Sequence, residues 1–282
     1  MITIVRYALG EAVRRRVFLV VLVLTAIFLG LDILANHYIF RDVNGIRVPE
    51  DVHVDSRTFA GAFTVGMSMF ATLFLGVVLA VFLTLGAVSG DAERGLLQPL
   101  VVRPIGRRTL LIARFVAAGV VCAVYVICVY LLAVVITGLE GSYWPDQIAT
   151  PGFLLAGAVL LMTALSLLGS VFLGATANGI ALFMLFIGGL VAGLLGTIGH
   201  ALNSATITHW AKIAAWVLPF EALYQDALQQ ITSSAHGFTG FLLRLGPFGG
   251  AYNGGWAVRL WALAYLLIIG TIALWAFSRR DL

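Results

Sequence analysis

The sequence predicts an all-α membrane protein of six transmembrane helices, and three observations carry that prediction. The chain has 282 residues, of which 61% are hydrophobic and 11% are charged, where a soluble domain averages about 45–50% and about 25%. Its apolar residues arrive in six runs, each long enough for about 30 Å of hydrocarbon at about 1.5 Å per residue. Between Gln147 and Ala211 there is no Asp, Glu, Lys or Arg. So few charges cannot cover a water-facing surface, and the bilayer has to be the solvent.

The chain reads as a single domain over residues 1–282. Residues 2–16 place Ile2, Val5, Leu9, Ala12 and Val13 on one side and Arg6, Arg14, Arg15 and Arg16 elsewhere. That is the pattern of a basic amphipathic helix lying on a lipid surface. The expected crossings are 17–35, 59–89, 115–138, 151–177, 180–199 and 257–277. As one helix, residues 151–199 would run roughly 74 Å, more than two bilayer cores, so the chain must fold back, and Ala177-Asn178-Gly179 is the expected turn. The first run ends in Asp32-Ile33-Leu34-Ala35-Asn36 without a small-x-small cleavage site, so it is expected to be retained as a helix. Asp32 then falls about one turn from the end of that crossing, an interfacial position. Starting the third crossing at Phe115 puts Arg114 at the interface, where its long side chain reaches the headgroups; at the bilayer centre it would cost about 2.5–3.5 kcal/mol. Residues 36–58 form a charged outer loop. Residues 200–256 form the longest outer segment, with a helical stretch from Trp210 to Ile231 interrupted by Pro219.

Orientation follows from Lys and Arg, which are retained on cytoplasmic loops. With the N-terminus inside, Arg6, Arg14, Arg15, Arg16, Arg94, Arg103, Arg107, Arg108, Arg114, Arg279 and Arg280 are inner. Arg41, Arg47, Arg57, Lys212, Arg244 and Arg259 are outer. The excess places both termini in the cytoplasm of a multi-pass protein of the cell membrane.

Composition and spacing exclude several functions. Lys212 is the sole lysine, and no Gly-x-x-x-x-Gly-Lys pattern surrounds it; the chain is not itself a P-loop ATPase. The basic balance suits anionic lipid, with no nucleic acid implied. The five histidines, His37, His53, His200, His209 and His236, fall on the outer side without metalloprotease spacing. Met67 and Met69 alternate faces and read as packing. Cys122 and Cys128 read as buried free thiols within one apolar run. No catalytic, cofactor or metal residue is expected. Gly189 and Gly193 form a Gly-x-x-x-Gly pair that lets a second helix approach closely, in this chain or a partner.

The informative segment is the inner loop 90–108. Asp91 and Glu93 open it, Leu96 to Val102 are mostly apolar, and Pro104, Arg107 and Arg108 close it. Acidic residues suit a helix N-terminus and the prolines interrupt the helix, giving a short element with an apolar face to dock. A solvated loop obeying the positive-inside rule fits the composition equally well.

The run Asp91-x-Glu93-Arg94-Gly95-Leu96-Leu97, followed by Arg103-Pro104-Ile105-Gly106-Arg107-Arg108 and Arg114, resembles the corresponding loop of ABC-2 type ABC transporter permeases, including the branch named for multi-copper enzyme maturation and nitrous oxide reductase assembly. That family has a Glu-x-x-Gly-Thr stretch before leucines, then a Pro-Ile-Ser-Arg-like stretch and a lysine at the start of the third helix. Here Leu96 stands for Thr, Gly106 for Ser and Arg114 for Lys. The six-helix layout, the basic N-terminal helix and Leu218-Pro219-Phe220-Glu221-Ala222 also resemble the family, so the likeness covers the whole chain. The resemblance implies an ABC-2, type V exporter-like fold and a permease that pairs with a second copy or a paralogue. It also implies two separate ABC ATPase subunits holding ATP and Mg. Loop 90–108 would contain the coupling helix and residues 2–16 the connecting helix. The cargo implied by charge-free crossings is apolar or amphiphilic, a drug or a lipid, and the family direction is export. Two other readings stand beside it: a membrane subunit for assembly of a cofactor or enzyme, and an ATP-independent carrier, which would need ionisable residues near the bilayer midplane of several helices.

Overall fold

A computed structural model of the chain describes residues 10, 16–42, 56–84, 107–232 and 254–279, without the side chains of 107, 200 and 201. Among the described residues there are eight helices and no strand. They are α1 (Arg16–Asp42), α2 (Ser56–Thr84), α3 (Arg107–Gly141), α4 (Ala149–Phe172), α5 (Ala175–Ala201), α6 (Ala205–Val217), α7 (Pro219–Thr232) and α8 (Gly255–Arg279). Six of these, all but α6 and α7, are long and apolar enough to cross a membrane. The amphipathic stretch 2–16, apart from residues 10 and 16, and the loop through Gly106 lie outside the described residues.

The crossings alternate in direction, as side-chain contacts at the two ends show. At one end the His37 ring of α1 meets the Glu140 carboxylate of α3, and Phe40 of α1 fills the space beside Gly141. At the other end Leu111 of α3, Leu167 and Val171 of α4, and Ala273 and Phe277 of α8 form one cluster. That second end also carries Arg16, Arg108 and Arg279 and is called the basic end; the opposite one is the far end.

Boundaries differ from the sequence expectation where a polar residue is satisfied inside the bundle. The fold-back after α4 falls at Leu173-Gly174 rather than at Ala177-Asn178-Gly179. Asn178 lies within the first turn of α5 and its Nδ2 donates to the Ser166 carbonyl of α4, 2.9 Å away, tying the two helices together at the basic end. The first crossing runs on to Asp42, so Asp32 lies about 15 Å from its end. Asp32 is buried within the bundle, and its Oδ1 accepts a 2.7 Å hydrogen bond from Ser68 of α2. The third crossing begins at Arg107, which puts Arg114 two turns inside a helix rather than at its start.

The larger correction concerns 200–256. Residues 205–232 are not an outer loop but a helical hairpin that enters the bundle from the far end. α6 runs back along α5, and Pro219, which has no N–H to continue a helix but suits the first helical position, turns the chain into α7. Phe220 stacks on Phe186, with ring centroids 6.0 Å apart, and Phe186 also meets Phe74 of α2. Phe186 is near the middle of α5, so the apex of the hairpin reaches about half-way through the bundle. α7 is enclosed by α2, α4, α5, α6 and α8.

Candidate functional site

Three groups of polar side chains are positioned by this fold. The first is the basic end. Arg16 and Arg108 are exposed there, Arg114 is half-buried, and the Arg279 guanidinium lies over the Trp275 ring at 4.3 Å. Below them Leu111, Phe115 and Phe277 pack into an apolar base. The expected coupling residues Asp91, Glu93, Arg94, Gly95, Leu96, Leu97 and Pro104 lie outside the described residues, as do Arg14 and Arg15. The backbone of Arg107 and all of Arg108 open α3 at this end, where α2 also ends, Thr84 donating to Ser166 of α4.

The second group is the inward face of α1. Most of this helix presents Leu, Val and Ile outward, while its buried residues include Thr25, Asp32 and Asn36. Thr25 donates to the Val21 carbonyl and shares a 2.5 Å hydrogen bond with the Tyr125 hydroxyl of α3. Asn36 donates to the Asp32 carbonyl. Two acceptors one turn apart, Asp32 Oδ2 and Asn36 Oδ1, have no partner.

The third group is α7, whose helical character and break at Pro219 the sequence indicated but whose burial it did not. From Pro219 to Leu228 every residue is buried, including Glu221, Tyr224, Gln225 and Asp226. Gln225 Nε2 donates to Glu221 Oε1 at 2.9 Å, while Glu221 Oε2 has no partner. Asp226 Oδ2 accepts from Arg259 Nε of α8 at 2.9 Å, and the same guanidinium lies 5.5 Å from the Trp256 ring centroid. The Tyr143 hydroxyl donates to the Ile231 carbonyl, fixing the far end of α7. Gly189 and Gly193 receive this helix: a Cβ at Gly189 would strike the Phe220 ring, and one at Gly193 would strike the Glu221 carboxyl. The glycine pair therefore packs against a helix of the same chain. The available signal was a helical stretch opened by Pro219 in which Glu221, Gln225 and Asp226 are interleaved with Phe220, Ala222, Leu223, Ala227 and Leu228.

The other expectations sort simply. Met67 faces outward and Met69 is buried. Cys122 is a buried free thiol, whereas Cys128 is exposed on the outer surface of α3 rather than buried. His209 is exposed on α6, and His37 sits at the far end beside Glu140. Among the described residues no group of three His, Cys, Asp or Glu side chains is placed to hold a metal ion.

The sequence that folds into these six crossings is matched along residues 2–282 by the family model described as ABC-2 family transporter protein. The chain belongs to the ABC-2 family. It is a membrane permease of an ABC transporter, and permeases of this family are generally non-catalytic transport subunits. No curated protein matches the permease significantly. Membership gives the polar groups a context: a transport subunit needs a surface that receives work and an interior that rearranges, and the basic end and the α6–α7 hairpin lie at opposite ends of the same crossings.

Proposed function

We propose that the permease is driven by separate ABC ATPase subunits docked at its basic end and exports an apolar or amphiphilic cargo across the cell membrane. The observation that carries this reading is the start of α3 at Arg107, which brings Arg107 and Arg108 to the end that also holds Arg16 and Arg279. Positive charge concentrated at one end marks the cytoplasmic side, so both termini and loop 90–108 are cytoplasmic. The far end and the mouth of the α6–α7 hairpin face outward. Loop 90–108, with Asp91 and Glu93 opening it and Arg107 and Arg108 closing it, is the coupling element. ATP and Mg belong to the partner, since this chain has no lysine in a phosphate-binding glycine loop. A second copy or a paralogue completes the transport unit, with the exposed apolar faces of α1 and α5 available to it and to lipid.

Purification of the tagged permease from its native membrane tests the reading. An ATPase subunit is expected to co-purify, and Glu93→Arg or Arg107→Glu is expected to release it while the permease still folds. A permease that brings down no ATPase, or loop variants that retain it fully, would contradict the proposal.

A further inference from the structure

Where α5, α6 and α7 meet, the bundle encloses a cavity walled by small residues, among them Gly193, Gly196, Ala211 and Ala215, with Glu221 and Lys212 also lining it. Glu221 is only 3% exposed. One of its oxygens accepts from Gln225 and the other, Oε2, has no donor. A buried carboxyl oxygen without a donor forfeits a hydrogen bond it would have in water, and although Thr208, Lys212 and Gln225 also line the cavity, none of them donates to Oε2. Lys212 is exposed and makes no ion pair with Glu221. Because it is exposed and also lines the cavity, Lys212 stands at the rim. α6 has no buried residue and turns Trp210, Ile213, Trp216 and Val217 outward. α6 is therefore the single thin helix that walls the cavity on its outward side.

We infer that this cavity binds the protonated amine of an amphiphile. The ammonium supplies both the missing donor to Glu221 Oε2 and the counter-charge for the carboxyl, while the small-residue walls leave room for the first carbons of an apolar tail. Lys212 at the rim opposes all cations alike, so preference for a primary ammonium comes from its N–H donor to Glu221 Oε2. The inference rests on the amphiphile-permease reading and adds the headgroup chemistry to it.

The test uses the full-length permease in phosphatidylcholine nanodiscs, whose headgroups carry no N–H donor, and a long-chain primary amine bearing a photoreactive diazirine. Crosslinks are expected within 189–225. Glu221→Gln should lower labelling by about tenfold or more, as for loss of a hydrogen bond to a charged group. Lys212→Met should raise it about two- to fivefold by removing a like charge at the rim. Ala211→Leu, which fills the cavity from the exposed helix without touching the carboxyl, should lower labelling even if Glu221→Gln fails to fold. The trimethylammonium and alcohol analogues should label weakly. Equal labelling by either analogue, no effect of Glu221→Gln or Ala211→Leu, or loss of labelling in Lys212→Met would overturn the inference. No ATPase is present in this assay, so a negative result removes the amine site and leaves the ATPase-driven reading to its own co-purification test.

Discussion

Helices α1 and α7 are opposites in composition and in place. α1 has 27 residues, most of them apolar, and lies at the edge of the bundle with Leu19, Leu31 and Leu34 more than half exposed. α7 has 14 residues, of which Glu221, Gln225, Asp226, Gln229, Gln230 and Thr232 are polar, and it lies near the centre. In water the order would be reversed. In a membrane, lipid accepts apolar side chains as readily as protein does, so hydrophobicity does not draw α1 inward. Polar groups have no partner in lipid, so the helix richest in them is the one that must be enclosed. The same rule operates within α1, whose Thr25, Asp32 and Asn36 face inward.

If α7 is held by its polar partners and α1 only assisted by them, substitutions should cost more at α7. Arg259→Ala leaves the buried Asp226 carboxylate without its guanidinium and should destabilise by about 3–5 kcal/mol. Thermal unfolding in nanodiscs reads this, and the double variant Asp226→Ala with Arg259→Ala should recover part of the loss. Gly189→Leu drives a side chain into the Phe220 ring and should cost about 1–3 kcal/mol. On α1 the effects shrink. Ser68→Ala removes one hydrogen bond to Asp32 and should cost about 1 kcal/mol, and a double-mutant cycle with Asp32→Asn should give a coupling of about 0.6 kcal/mol. At the far end Glu140→Gln weakens a pair to His37 in which both side chains are at least one-third exposed, and the change should stay within about 0.5 kcal/mol. A loss at Ser68 as large as that at Arg259 would erase the distinction between the two helices.

The crossings were legible because length and apolarity alone decide them; all six fall where the runs lie. Their ends were less so. Asn178-Gly179 has turn chemistry, yet Asn178 spends its carboxamide on Ser166 within a helix, a tertiary bond that local preference does not contain. Asp32 read as interfacial because the apolar run pauses there, while its partner Ser68 is on another helix. α7 was misread most, because a polar 14-residue stretch is indistinguishable by composition from an outer loop until Arg259, Gly193 and Phe186 are seen to receive it. The Gly189 and Gly193 pair did signal a close helix approach, though not which helix arrives. The loop 90–108 was singled out through its motif alone, and through Gly106 it lies outside the described residues.

The enclosure of α7 is most directly tested by thiol accessibility in a permease whose Cys122 and Cys128 have been replaced. Single cysteines at Arg108, Asp146 and Ala227 report the basic end, the far end and the middle of α7. With a membrane-impermeant reagent, Asp146→Cys should react in intact cells, Arg108→Cys only after the membrane is opened, and Ala227→Cys in neither condition until the protein is unfolded. Reaction of Ala227→Cys as fast as Asp146→Cys in intact cells would mean that α7 is an outer loop helix, and would contradict a bundle built around its most polar segment.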